Sequence, residues 1–350
     1  MERYDQDLAF ILRYENVAWY ENGKVRILDR RIYPTEIKFV ECSTYKEVAK
    51  AISDMVTQSA GPYTAAGMGM ALAGYEAREK SEKEQIDFLK TASYEISHAR
   101  PTTANRMTQI TEGCLKVMME ALKNGKETSE AAFEETIKSL NRRYSIMEKV
   151  GENLAKLFPK GGRILTQCFG ETIIGMMLRA ARKYNNDVKI YCAETRPYLQ
   201  GARLTSSCCY DMGFDTTVIT DNMVAYAMET KKIDLFTSAA DTIARDGHIA
   251  NKIGTYQIAI LAKYFKIPYY VTGIPDKDKH TKDDIVIEER DPKQVLSYRD
   301  IPNTLNGVKA IYPSFDITPP HLISGVVTDK GVYVPYTLND YFTDEVERFY

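Results

Sequence analysis

"DLFTSAADTIARDGHIANKIGTYQIAILAKYF" (residues 234–265) decides how this chain folds. Leu235 to Ser238 is an apolar run of strand length, and the segment from Asn251 to Phe265 has the length and apolar spacing of a helix. Ile253, Tyr256, Ile260, Leu261 and Tyr264 form a stripe along it. Between strand and helix stands an acid, Asp241, and Asn251-Lys252 falls at the expected head of the helix. An ordinary surface loop needs no such arrangement. A site that moves protons on a phosphorylated small molecule has a use for it.

The same alternation extends on both sides of this stretch. "RILTQ" (163–167), "VKIYCA" (188–193), "TTVIT" (216–220) and "YYVTG" (269–273) read as strands, and "ETIIGMMLRAARKY", "RLTSSCCYDMG" and "NMVAYAMET" as helices between them. Strands of about five residues alternating with helices predict a parallel, doubly wound, Rossmann-like sheet over 151–350. Ahead of it, 17–40 carries a hairpin signal around Asn22-Gly23, the text turns helical at Tyr45, and two or three further helices fill 80–157. The expected fold class is therefore α/β, with a small N-terminal domain of short strands plus helices (1–150) before the sheet domain.

Doubly wound sheets bind ligands beyond the carboxyl ends of their strands. The residues just past each strand are Cys168, Glu194-Thr195-Arg196, Asp221-Asn222, Asp241 and Thr272-Gly273. Each has an ordinary reading. A lone cysteine is often a small buried hydrophobe, Asp221 can cap a helix, Asp241 can cap a turn, and Arg196 can pair with Glu194. Their coincidence on one rim is what points to chemistry. Lys252 is sharper still, because a cation in the first turn opposes the helix dipole unless a phosphate is bound there. The glycine-rich stretch "SAGPYTAAGMG" (59–69) offers either close helix packing or a second anion nest. It lacks the Gly-Lys-Ser/Thr ending of a Walker loop and follows a helix, so it fits no nucleotide fingerprint.

Composition excludes several classes. The formal net charge of −2 leaves no basic excess for nucleic acid. No apolar run approaches the roughly 20 residues of a membrane span, and "MERYDQDLAF" is no secretory leader. Six cysteines without a CxxC pair and four dispersed histidines predict no metal site and a reduced, cytoplasmic setting.

Longer strings carry a family resemblance. "AETRPYLQGARLT" (193–205), "ITDNMVAYAM" (219–228), "IANKIGTYQIAILAKY" (249–264), "IEERDP" (287–292) and "SFDITPPHLIS" (314–324) resemble the methylthioribose-1-phosphate isomerase family. They also resemble its wider superfamily, which includes translation initiation factor 2B regulatory subunits and ribose-1,5-bisphosphate isomerase. "LDRRIYP" (28–34) and "ARPTTANRM" (99–107) extend the likeness upstream. The resemblance implies an aldose–ketose isomerase of methionine salvage, a homodimer acting on a sugar phosphate without cofactor or metal. Cys168 and Asp241 become the catalytic pair, and Arg100, Gln200, Asn251, Lys252 and the Ser59-Ala60-Gly61 stretch become substrate-binding residues. Asp241 suits the role of acid where apolar neighbours raise its pKa. Cys168 then moves a proton at carbon, or assists at oxygen during a hydride shift.

The departures are specific. Ser59 stands where the isomerases typically carry an arginine. Their His-Cys-Asn-Ala-Gly segment is "QCFGE" here, with Phe169 beside the thiol, and the segment from Cys168 to "ETRP" is shorter. S-methyl-5-thioribose 1-phosphate is the default substrate. 5-Deoxyribose 1-phosphate, ribose 1,5-bisphosphate and a non-catalytic subunit like those of initiation factor 2B are the alternatives.

Overall fold

The structure, a computed structural model, describes residues 3–100, 104–298 and 301–343. The chain divides into two compact units, the first up to Ser145 and the second from Ile146.

In the first unit β1 (Ala18–Glu21) and β2 (Lys24–Leu28) pair antiparallel around Asn22-Gly23, both with positive φ (51° and 73°). This is the backbone that a tight hairpin turn demands, and Asn-Gly supplies it at low steric cost. β3 (Phe39–Cys42) adds to β2 antiparallel. The helices are α1 (Tyr14–Val17), α2 (Tyr45–Ser53), α3 (Gly61–Ala77), α4 (Glu82–Ser97), α5 (Ala104–Lys123) and α6 (Thr128–Ala155), the last of which continues past Ser145 into the second unit. α2 opens on a capping box between Thr44 and Glu47, which satisfies orphan N–H groups at its start. α3 is buried almost all round, because its alanines and glycines let neighbouring elements approach from every side.

The second unit contains the alternation. β4 (Arg163–Gln167), α7 (Thr172–Lys183), β5 (Lys189–Ala193), α8 (Ser206–Asp211), β6 (Thr216–Ile219), α9 (Val224–Thr230) and β7 (Leu235–Ala239) come first. β8 (Thr242–Ile243), β9 (Ile249–Lys252), α10 (Thr255–Tyr264) and β10 (Tyr269–Thr272) follow, then β11 (Ser297–Tyr298), β12 (Ile301–Pro302), β13 (Phe315–Thr318), β14 (Gly325–Thr328) and β15 (Gly331–Tyr333). The main sheet has seven strands in the order β15-β14-β10-β7-β4-β5-β6. All neighbours are parallel except β14 and β15. From β4 the chain moves out through β5 to β6, then returns to β7 on the other flank of β4. That reversal is the topological switch point, where such sheets open a crevice. Leu165, Phe236, Tyr269, Val271 and Val326 are among the fully buried residues that fill the core around it.

Two expectations need correction. The segment between β7 and α10 is a small sheet, with β9 between β8 and β13 and antiparallel to both. Lys252 is therefore the last residue of a strand, not part of a helical first turn. Most of the apolar stripe on α10 also faces away from the core, although Leu261 packs against it. Tyr256, Ile260 and Tyr264 are exposed, while Thr255, Ile258, Ala259 and Ala262 are buried. The smaller side chains allow the helix to lie close on the sheet, so the bulkier ones occupy the outer side.

Candidate active site

Cys168 follows β4 directly and holds a left-handed backbone, φ 60°. A non-glycine residue in that region costs about 1–3 kcal/mol, so the surroundings must hold it there. Its N–H donates to Thr195 Oγ1 (2.9 Å), and its carbonyl accepts from the Thr205 hydroxyl. Thr195 is itself fixed, because Asp221 accepts from the N–H groups of Thr195 (2.9 Å) and Arg196 (2.7 Å). Asp221 thus pins the loop beyond β5 rather than capping a helix. Gln200 lies on the same loop and is 5% exposed, and its Oε1 has no hydrogen-bond partner among the described residues. The following residue must be glycine, since a Cβ on Gly201 would sit 1.8 Å from the Ala193 carbonyl oxygen at the end of β5.

Cys168 is half-buried, whereas Cys42, Cys114, Cys192, Cys208 and Cys209 are fully buried. Burial pushes the Cys168 thiol up to about 11. Lys252 opposes that rise, Asp241 adds to it, and the Phe169 backbone N–H and Arg290 oppose it more weakly. Cys168, Asp241 and Lys252, from three separate stretches of sequence, therefore lie within electrostatic reach of one another. Asp241 itself is exposed, and its N–H donates to the Ala250 carbonyl (2.9 Å). The apolar surroundings expected around it are not supplied by its packing, because the acid lies three residues beyond Ser238, the last buried position of β7.

The carboxyl end of β9 carries Asn251 and Lys252, 4% and 5% exposed. Asn251 donates through Nδ2 to Thr255 Oγ1 (3.0 Å). The Lys252 ammonium sits 4.5 Å from the centre of the Phe315 ring, a cation–π contact that helps a buried charge. The helix end beside it is already filled. Asp316 accepts from the N–H groups of Gly254 (2.7 Å) and Tyr256 (3.0 Å). Burial raises the Asp316 carboxyl to about 6, against those hydrogen bonds and Lys252. The start of α10 is therefore not the anion site that its dipole suggested. An anion on this rim meets the Lys252 side chain instead.

Ser59, Ala60, Gly61 and Arg100 belong to the first unit. Ser59 has φ 58° and precedes α3. Arg30, fully buried, donates to the carbonyls of Gln58 (2.6 Å) and Ile11 (3.4 Å). Arg143 reaches the Ala60 carbonyl (3.5 Å) and the Thr64 hydroxyl (3.2 Å). A Cβ on Gly61 would sit 1.9 Å from Thr57 Oγ1 and 3.0 Å from Arg30 Nη1, so only glycine lets the guanidinium pass. The N–H groups of Gly61 and Tyr63 bond to the carbonyls of Gln58 and Ala60 within the turn. Arg100 is half-buried and directly precedes residues 101–103, which lie outside the described residues.

Sequence reading assigned no role to Gln167, Thr205, Thr255, Arg290 and Asp316, although Thr195 stood among the rim residues. Asp316 and Arg290 stood in recognised strings without a role, and Gln167 was a polar residue ending an apolar strand. Those were the available signals.

A family model described as the initiation factor 2 subunit family matches residues 59–335. The 5-deoxyribose 1-phosphate isomerase of Clostridium botulinum is 36% identical over 338 residues, covering 92% of this chain and 96% of that protein. The crystal structure of 5-methylthioribose 1-phosphate isomerase from Pyrococcus horikoshii has a TM-score of 0.81 at 30% identity, covering 93% and 94% of the two chains. Translation initiation factor eIF-2B subunit delta from A. fulgidus gives the same TM-score at 29% identity, covering 93% and 99%. With its thiol, acid and lysine gathered at the switch point of a doubly wound sheet, the chain belongs to the initiation factor 2 subunit family.

Proposed function

We propose that this protein is an aldose–ketose isomerase of a 5-substituted ribose 1-phosphate, with S-methyl-5-thioribose 1-phosphate the default substrate and the ribulose 1-phosphate the product. The observation that carries the reading is the meeting of Cys168, Asp241 and Lys252 at the carboxyl ends of β4, β7 and β9. A pure scaffold has no chemical need for that set.

Phosphate on C1 leaves no free anomeric hydroxyl, so the ring cannot open in the ordinary way. The acid must protonate the ring oxygen as its bond to C1 breaks, leaving an electron-poor C1. A hydride then passes from C2 to C1, and the C2 hydroxyl loses its proton to become the ketone. Asp241 serves as the acid and, once deprotonated, as the acceptor of that second proton. A proton-abstraction route needs Cys168 as thiolate. With burial pushing its pKa up to about 11, the thiolate is scarce at neutral pH. That scarcity favours the hydride route, with the neutral thiol donating a hydrogen bond to a substrate oxygen. Substrate binding supplies the desolvation that Asp241 lacks in its exposed position. Lys252 holds phosphate, Gln200 and Asn251 orient hydroxyls, and Arg100 and the Ser59-Ala60-Gly61 turn are carried over from the resemblance as further binding residues.

A cytoplasmic homodimer accompanies this reading. No helix among the described residues is long and apolar enough to cross a membrane. The exposed stripe Tyr256, Ile260 and Tyr264 on α10 supports self-association, since isolated apolar side chains are ordinary but an aligned set favours burial. The second reading, a non-catalytic subunit, is favoured by the likeness to the A. fulgidus factor. Incubation of the purified protein with methylthioribose 1-phosphate, 5-deoxyribose 1-phosphate and ribose 1,5-bisphosphate separates the two. Ketose 1-phosphate from any of them supports the isomerase. Inactivity on all three, with stable capture of a partner protein, overturns it.

A further inference from the structure

Gln167 is 2% exposed and is joined to Cys168 by one peptide bond. Its Nε2 donates to the carbonyls of Lys252 (3.3 Å) and Ile253 (3.0 Å), and its Oε1 accepts from the Thr255 hydroxyl (3.0 Å). Both carbonyls only accept, so the nitrogen must face them and the oxygen must face Thr255. Thr255, fully buried, shares its hydroxyl proton between Gln167 Oε1 and the Lys252 carbonyl (2.8 Å) and accepts from Asn251 Nδ2 (3.0 Å). β4 and β9 belong to different sheets, so no ladder hydrogen bonds hold the strand ends in register. The amide makes that connection.

We propose that Gln167 is a positioning residue: its buried amide, through Thr255, fixes Asn251 and Lys252 relative to Cys168. A primary amide suits the task because it offers donors and an acceptor at once. A carboxylate would face two carbonyl oxygens, and a hydrocarbon would leave buried carbonyls with fewer partners. The catalytic consequence rests on the isomerase reading, whereas the placement of Lys252 beside the thiol does not.

The test uses Gln167→Met, close in shape but without the polar pairings, and Thr255→Val, which removes the shared hydroxyl. Wild type and both variants are compared by iodoacetamide alkylation of Cys168 at pH 9, by thermal midpoint, and by kcat and KM for an aldose 1-phosphate. Displaced Lys252 no longer supports the thiolate, so alkylation is expected to slow three- to tenfold in each folded variant. The double variant should be no slower than the slower single one, because both act through one network. The kcat is expected to fall at least tenfold. If Gln167→Met does not fold, Thr255→Val carries the same readout. An alkylation rate equal to wild type in a folded variant overturns the proposal, including when the thermal midpoint falls, since that is a structural role alone. Wild type inactive on every sugar phosphate defeats the isomerase reading, and the alkylation rates still decide the role of Gln167.

Discussion

The starts of α3 and α10 both read as anion sites in the sequence, yet their backbones are satisfied in opposite ways. Before α3, the buried guanidinium groups of Arg30 and Arg143 donate to carbonyls of the turn. At α10, the Asp316 carboxylate accepts from N–H groups of the helix end. One turn is held by buried cations and the other is closed by a half-buried carboxylate. The contrast teaches that a helix N-terminus binds anions only where the protein has not already supplied one. On the second unit's rim, Lys252 then takes over as the positive group.

The largest break in this comparison comes from the chemistry assigned to the second unit. Asp241→Asn should lower kcat by about 10²–10⁴-fold, the range for loss of a general acid, and Cys168→Ala, which removes the thiol donor, by about 10²–10³-fold. Circular dichroism should remain native. An active double variant would remove the mechanism.

Arg30→Leu should come next and act on stability. It leaves the buried Gln58 and Ile11 carbonyls without a charged donor, at a cost of about 2–4 kcal/mol, readable as a fall in urea midpoint. A variant as stable as wild type would mean that the turn before α3 is held by other contacts.

Lys252→Met should raise KM for the sugar phosphate by about 10–100-fold, or roughly 1.4–2.7 kcal/mol of lost binding. An unchanged KM would place the phosphate elsewhere. The same variant should slow Cys168 alkylation, since Lys252 is the leading influence opposing the raised thiol pKa. In wild type the rate should climb through pH 9 and 10 towards about 11, because ionisation of the thiol is disfavoured below that value. A plateau near pH 7 would show a thiolate and revive proton abstraction by Cys168.

Asp316→Asn is the finest probe. It retains one acceptor for Gly254 or Tyr256 and loses the other, for about 1 kcal/mol at neutral pH. The sign reverses part of this loss. The folded carboxyl titrates near 6, above its ordinary range, so the native state binds the extra proton between about 4 and 6. The ionised form costs stability as pH rises through that window, and the neutral asparagine does not pay it. The gap between variant and wild type measured by urea unfolding should therefore widen as the pH is lowered from 7 to 5, and a constant gap would contradict the raised carboxyl.

How much of this was legible beforehand differs by element. The strand–helix alternation from 163 onward, the Asn22-Gly23 hairpin and the placing of Cys168 and Asp241 at strand ends followed from local pattern, because period and turn chemistry are properties of neighbouring residues. The outward face of α10 did not follow. Periodicity identifies a stripe but not which side meets the sheet, and the sheet accepted Ala259 and Ala262. The strand β9 was equally hidden, since its partners β8 and β13 lie on both sides of it in sequence and β13 is some sixty residues on.

The amino-acid sequence alone determined the doubly wound sheet, the family and the set of reactive groups, since all three are written in local order and motif. Tertiary structure decided which of those groups are electrically coupled, that the dipole of α10 is spent on Asp316, and that Gln167 ties two sheets together beside the thiol. Hydrogen bonds and charge interactions between distant segments exist only after the chain has closed, so no local pattern encodes them.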